Sequence, residues 1–487
     1  MSRPARQSSV TPRARTRGRR GGHPNDRRRL AGPAGRVLSG AVWPPLVGAI
    51  DRVAALATGR RYPSYFRRFR RMEGWTRERL EAWRWRRLRA LLEHAYETTP
   101  FWREQFDRLG AKPADLAAPA GFRSIPPLDK ATINARRDDL TSRRPGRGVR
   151  ERSTGGSTGH NVWFRLDRET QDRRRAAGRL TEEWDGVRPG TRIAFLWGAA
   201  LDAEPSVASR VADLLSNRLF LSVYGVGEER LAEHWRRLER FRPEVITSYP
   251  SILHHLARRM GREACRRLGV RLIYSSAEVL QDPVRADLED LFGAAVRDRY
   301  ASREFGMIAA ECPEGGGLHV MDMRLYLELE PGPAPGEPSP ILVTDLDNRT
   351  MPMIRYRIDD LALPAPGPCA CGRPFGLLSR IEGRALDVVV TPDGRAFGGT
   401  FFTLQLRPFD RTIERFQVVQ DRPDHLVVRV VPGPGYGPAV RQRVLDTLAG
   451  ALGRTVSVEL LEVPEIPPSP SGKHRFVISQ VGGGRSG

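Results

Sequence analysis

Cysteine is scarce in this chain, with four in 487 residues, too few for a disulfide framework at such length. Lysine is scarcer still, at three among 80 basic residues. No apolar run reaches the roughly 18 residues that a membrane span requires. The best candidate, 38–50, is short and carries Pro44-Pro45. No apolar signal region directly follows the Arg-rich start, which predicts a cytoplasmic protein. An ordered series of aromatics between basic residues is also missing, so the net charge of +23 does not read as specific nucleic-acid recognition.

The charge is concentrated. Residues 1–30 hold ten Arg and one Asp in Pro/Gly/Ser-rich sequence that cannot build a core. Residues 1–35 are therefore expected to be a disordered basic tail. The remaining length exceeds one ordinary core, which predicts two or three domains.

From 36 to 140 the pattern is helical and basic: Phe69, Trp75, Leu80, Trp83, Leu88, Leu91 and Tyr96 recur at helix-like steps. These rings read as packing residues. Ser153-Thr154-Gly155-Gly156-Ser157-Thr158-Gly159 follows helix-like, Arg-rich sequence. Its glycines free the backbone to turn successive N–H groups onto one anion, and its hydroxyls add donors. A flexible Ser/Gly linker is the alternative. No Lys follows the last glycine, so this is not the G-x-x-x-x-G-K-[ST] phosphate loop.

Beyond it the reading is α/β. Strand-like Arg192–Trp197, Val245–Thr247, Leu272–Tyr274 and Val296–Tyr300 alternate with helix-like segments, and three of them run straight into polar turns: Ser248-Tyr249, Ser275-Ser276-Ala277-Glu278 and Ala301-Ser302-Arg303-Glu304. Open α/β sheets place ligands at such strand ends. Strands dominate after 325, including Ile341–Asp345 and Met353–Tyr356. The expected fold is a large α/β domain (36–383) with doubly wound mixed sheets and a β-rich subdomain. A small mobile α+β domain (384–480) and a flexible tail (481–487) follow. Cys312, His319, Cys369 and Cys371 offer three thiols and one imidazole, a sensible closed tetrahedral Zn²⁺ set. Unrelated free thiols are the alternative, and Cys265 reads as an ordinary helix residue.

Taken in order, Thr154–Gly159, Ser276-Ala277-Glu278, Tyr300–Glu304, Thr344-Asp345-Leu346, Pro352–Asp360, Gly383–Asp387 and Ser471-Gly472-Lys473 resemble the motifs of the adenylate-forming superfamily. The similarity is greatest to its phenylacetate–CoA ligase and CapK-type branch, and it covers about 140–475. The resemblance implies an AMP-forming carboxylate ligase using ATP and Mg²⁺. It would adenylate a small-molecule carboxylic acid, aryl among the candidates, release pyrophosphate, and pass the acyl group to CoA. A CapK-type ligase serving another acceptor (a carrier protein, an amine or a sugar hydroxyl) stays open, as does a basic binding protein without catalysis.

By the same resemblance, Thr154 to Gly159 hold the β- and γ-phosphates, with Ser157 and Thr158 as hydroxyl donors. Ser276, Ala277 and Glu278 line the adenine pocket, Tyr300 stacks on adenine and Ser302 lies beside it. Glu304 holds Mg²⁺, Asp360 takes the ribose hydroxyls with Arg384, and Asp387 is the hinge. Lys473 bridges the acid carboxylate and the α-phosphate. The acid pocket is expected around Trp197, Tyr224-Gly225-Val226, Tyr249 and Phe305-Gly306-Met307. The chain departs from the pattern at Asn161, where the loop usually continues with Lys, at Asp359 in place of glycine, and at Leu386 in place of an acid.

Overall fold

The structure is a computed structural model. It describes residues 43–153, 162–197, 213, 216–222, 228–280, 282–330, 338–382, 389–393, 395–397, 399–409, 412–453, 455–466, 477–479 and 481. The basic tail, Thr154–Gly159, Asn161, Tyr224–Val226, Arg384, Asp387 and Lys473 lie outside the described residues.

The first third is helical as expected: α1 (Trp43–Ala57), α2 (Tyr62–Met72), α3 (Arg77–Thr98), α4 (Pro100–Arg108) and three short helices, α5 (Pro113–Leu116), α6 (Pro119–Ser124) and α7 (Lys130–Ala135). Thr76 caps α3 by accepting from the Arg79 N–H at 3.3 Å. Pro100 disfavours helical geometry at Thr99 and opens α4 instead. Leu80, Trp83, Leu88, Leu91, Trp102 and Phe106 are buried in one core, so the aromatic rings here are packing residues.

The 150s differ from expectation. Arg150–Ser153 (β1) is a strand and pairs antiparallel with Trp163–Leu166 (β2). The register places Glu151 opposite Arg165, with an ion pair at 3.2 Å. Cross-strand charge pairing, together with burial of Ser153 and Phe164, overrides the helical preference of the arginines. The hairpin sets Ser153 directly against Trp163, bringing the two ends of the glycine-rich segment together.

After α8 (Arg168–Trp184) the chain lays down β3 (Ile193–Trp197), β4 (Arg218–Ser222), β5 (Val245–Ser248), β6 (Leu272–Ser276) and β7 (Ala295–Ser302), all parallel. Between them run α9 (Glu228–Phe241), α10 (Pro250–Met260), α11 (Arg262–Arg267) and α12 (Asp282–Phe292). From β7 onward neighbouring strands are antiparallel, with β8 (Gly306–Glu311), β9 (Leu318–Val320), β10 (Leu325–Leu329), β11 (Ser339–Asp345), β12 (Tyr356–Pro364) and β13 (Leu377–Glu382) completing the sheet. The β-rich part is thus continuous with the parallel half in one eleven-stranded sheet, ordered β10-β11-β12-β13-β9-β8-β7-β6-β5-β3-β4. Met353–Arg355, read as strand, precedes β12; Arg355 takes φ +50°. That turn is held because the buried guanidinium reaches Glu328 and the carbonyls of Arg123 and Ile125.

A separate apolar core begins at Val389. It holds the pair β14 (Val389–Val390) and β15 (Ala396–Phe397), α13 (Gly399–Leu406), the hairpin β16 (Ile413–Arg422) and β17 (His425–Pro432), α14 (Pro438–Leu452), β18 (Ser457–Glu462) and β19 (Val477–Ser479). The four-stranded order is β18-β17-β16-β19, the α+β mixture expected of a small second unit.

Candidate functional site

The described part of the site gathers at the C-terminal edge of the parallel strands. Ser276 closes β6, and its hydroxyl donates to the Arg299 carbonyl of β7 at 2.9 Å. Ala277 follows with φ +70°, a region where a Cβ costs on the order of 1 kcal/mol and which clusters at binding sites. Trp197, at the end of β3, stacks on Tyr249, just past β5, at 4.5 Å and 22°.

Tyr300 and Asp360 come from strands that are not neighbours. Four inter-strand steps separate β7 from β12, which on a flat sheet would be about 19 Å, more than the two side chains can span. Yet the Tyr300 hydroxyl donates to Asp360 Oδ2 at 2.8 Å. Tyr356, four residues earlier on β12, brings its hydroxyl to within 3.4 Å of Glu304 Oε1. The sheet therefore curls, so that one face of β12 closes over the end of β7. This closure brings together the tyrosine, the aspartate and the buried Glu304 that the sequence reading assigned to one nucleotide. Ser302 keeps to the turn, where its hydroxyl accepts from the Phe305 N–H at 3.2 Å.

The structure adds two residues that sequence reasoning missed. Arg174, on α8, donates to the carbonyls of Arg303 (3.1 Å) and Glu304, and pairs with Asp345 at 3.2 Å. Fully buried Arg324 donates to the Phe305 carbonyl at 2.9 Å and pairs with Asp345 and Asp347 at 3.5 and 3.2 Å. Three successive carbonyls of the Glu304 turn are thus held by two guanidiniums anchored on carboxylates. Burial pulls Arg174 down to about 10 against the opposing pull of Asp345. Gly306 at φ +69° lies against the Arg174 stem, where a Cβ would come to 3.4 Å. In sequence Arg174 is one of three consecutive arginines, with nothing to single it out.

Breaking a buried ion pair leaves an uncompensated charge. Arg174→Met should destabilise the chain by about 2–3 kcal/mol, less than for an isolated pair because Asp345 keeps Arg324. Urea unfolding of the variant measures this; a change below about 0.5 kcal/mol would show the clamp to be idle.

The four metal-type residues converge. Their ligand atoms all lie within 4.8 Å of one another, and Cys312, His319 and Cys369 are buried. Cys312 and Cys369 Sγ are 3.6 Å apart, and Cys371 Sγ is 3.2 Å from His319 Nε2. A tetrahedral Zn²⁺ with bonds of 2.0–2.3 Å needs ligand separations of about 3.3–3.8 Å, so the set fits. Sheet pairing produces it: β9 lies between β8 and β13, with Ala310 and Leu377 both opposite His319. Glycine permits the turns, since a Cβ at Gly317 (φ +122°) would strike the Leu378 carbonyl at 2.4 Å. Burial and the nearby Arg373 charge push the His319 imidazole down to about 4, keeping it in the neutral form that a metal binds.

Comparison with known proteins agrees with this layout. Residues 389–480 match the CapK C-terminal domain. Protein CapK of Staphylococcus aureus is 25% identical over 74% of this chain and 81% of its own length. Phenylacetate-coenzyme A ligase of Thermus thermophilus is 24% identical, covering 84% of this chain and 98% of its own. The fold resembles that of 2-hydroxyisobutyryl-CoA ligase solved with 2-HIB-AMP and CoA, with a TM-score of 0.58 at 22% identity over 84% and 91% of the two chains. The ordered motifs, the mixed sheet with its separate C-terminal unit and these relatives point the same way: the chain is similar to CapK and the phenylacetate–CoA ligases, and its residues 389–480 match the CapK C-terminal domain.

Proposed function

We propose that the chain is an AMP-forming ligase that activates a carboxylic acid with ATP, releases pyrophosphate, and transfers the acyl group to a thiol, CoA foremost. The observation that carries this is the Tyr300–Asp360 hydrogen bond beside Glu304 and the Ser276–Glu278 turn. It supplies a ring for adenine, a carboxylate for ribose and a buried acid for a cation at one strand-end mouth. Curated relatives named phenylacetate-coenzyme A ligase support the same reading.

In the first half-reaction the acid carboxylate attacks the α-phosphorus, and the pyrophosphate leaves in line. Negative charge spreads over the phosphate oxygens, so cations and donors must be in place beforehand. Glu304 would hold Mg²⁺, a hard cation suited to oxygen ligands, which neutralises phosphate charge. The Tyr300 bond orients Asp360, whose carboxylate accepts from the ribose hydroxyls. Trp197 and Tyr249 would wall the acid pocket, their stacked rings favouring a flat or compact acid. Cys312, His319, Cys369 and Cys371 would hold a structural Zn²⁺, all four positions being filled by protein.

Asp360→Ala is expected to weaken ATP by about 1.5–3 kcal/mol through loss of a charge-assisted bond, while Glu304→Gln raises the Mg²⁺ requirement. Calorimetric titration with ATP and a Mg²⁺ series on pyrophosphate release check both. Unchanged affinity and Mg²⁺ dependence would remove the site. The match of residues 389–480 to the CapK C-terminal domain supports a second reading, transfer to a carrier thiol, amine or sugar hydroxyl. Pyrophosphate release across an acid panel, with and without CoA, separates the two readings.

A further inference from the structure

Helix α1 has an apolar face that the described residues leave uncovered. Ile50, Val53 and Leu56 are 43%, 64% and 80% exposed, a row at steps of three. Among the described residues the other large exposed apolar side chains, Val149, Trp163, Phe220 and Leu461, are scattered one to a segment. Scattered residues of that kind are ordinary; three in a row on one helix are not. The opposite side of α1 is fastened. Val47 and Ala55 are buried, and Asp51 accepts from the Tyr62 hydroxyl and pairs with Arg175 at 2.8 Å. The outward row is therefore held facing solvent by bonds on the inner side.

The surroundings are basic. Between Trp43 and Met72 the sequence has seven arginines and one acid, Asp51, and that acid is engaged inward. Arg52 on α1, Arg61 in the link and Arg67 and Arg71 on α2 are exposed. The ten arginines of residues 1–30 precede this surface in sequence. We propose that the outer face of α1, with its flanking arginines, docks on an anionic lipid surface. The aliphatic row enters the headgroup boundary and the guanidiniums pair with lipid phosphates. A nucleic acid would engage the arginines but has no use for an aliphatic row. A second copy would set like charges against each other. This docking is independent of the ligase chemistry, since α1 contributes none of the residues assigned to it.

Cosedimentation of the full chain with vesicles tests this. The wild type should pellet with vesicles of equal phosphatidylglycerol and phosphatidylcholine, weaken steeply with salt, and stay in solution with phosphatidylcholine alone. The triple variant Ile50→Ser, Val53→Ser, Leu56→Ser alters exposed positions only, so circular dichroism and pyrophosphate release should be unchanged. Its vesicle affinity should fall about tenfold or more. Removal of residues 1–35 should also weaken binding while the remainder stays folded. Equal binding by the triple variant would overturn the proposal, because charge alone would then account for association. So would failure of the wild type to bind, equal binding to neutral vesicles, or a dimer in sedimentation velocity that the triple variant abolishes.

Discussion

Replacing Lys473 by alanine is expected to abolish acyl-adenylate formation while leaving ATP binding and thiolation of preformed acyl-AMP much less affected. Lys473 stands in Ser471-Gly472-Lys473-His474 near the end of the chain, a stretch that resembles the motif in which adenylate-forming enzymes carry the lysine that bridges carboxylate and α-phosphate. An ammonium on a long stem suits the task, because it brings a compact charge to oxygens whose negative charge grows only in the transition state. Losing it should cost about 3–5 kcal/mol, or roughly 10²–10³ or more in rate. The rarity of lysine strengthens the assignment: a chain that uses arginine almost everywhere keeps a lysine in this motif. Single-turnover measurement of labelled pyrophosphate release reads the step directly. Adenylation surviving within a few-fold would take Lys473, and the catalytic role of the C-terminal unit, out of the scheme.

The second large effect is expected from the thiol–imidazole cluster. Protein purified without chelator should contain about one equivalent of zinc, and Cys369→Ser should lower zinc content and stability together. Because a metal that binds only the folded state adds its binding free energy to folding, the loss should be at least about 3 kcal/mol. The cluster ties the end of β8 and strand β9 to the β12–β13 connection, and β8 follows the Glu304 turn directly. Loosening it should therefore also raise the Mg²⁺ requirement of adenylation, a readout that ordinary surface destabilisation would not shift. A strong chelator should reproduce the stability loss without competing with ATP or the acid. Elemental analysis showing no zinc, or full stability in Cys369→Ser, would leave the four residues as an accidental gathering of buried thiols.

Much of the parallel half was legible from local pattern. Val245–Ser248 and Leu272–Ser276 are short apolar runs that end in polar turns, and buried strands of a parallel sheet must look that way. The α3 helix was legible from the helix-like steps of Leu80, Trp83, Leu88 and Leu91, which are buried along it. That Cys312, His319, Cys369 and Cys371 could form one set was legible as residue chemistry, because three thiols and an imidazole suit a tetrahedral metal site, and the structure does bring them together. The strand at Arg150–Ser153 was not legible. Its alternation of charge makes sense only opposite Arg165 and Phe164, and single-strand composition carries no record of a partner.

By itself, then, the sequence determined the α/β alternation of the parallel half, the motifs that resemble those of the superfamily and the identity of Tyr300, Glu304 and Asp360 as candidates. Those depend on residue type and near-neighbour spacing, which a linear chain displays. Only the tertiary structure decided that Tyr300 and Asp360 share a hydrogen bond across four strand intervals, because sheet curl is a property of the packed whole. It alone decided which of the abundant arginines matter. Arg174 and Arg324 differ from the exposed arginines in being enclosed with Asp345 and Asp347. A charge out of water must be paired, and its partner is set by burial, which adjacent residues in the sequence do not reveal.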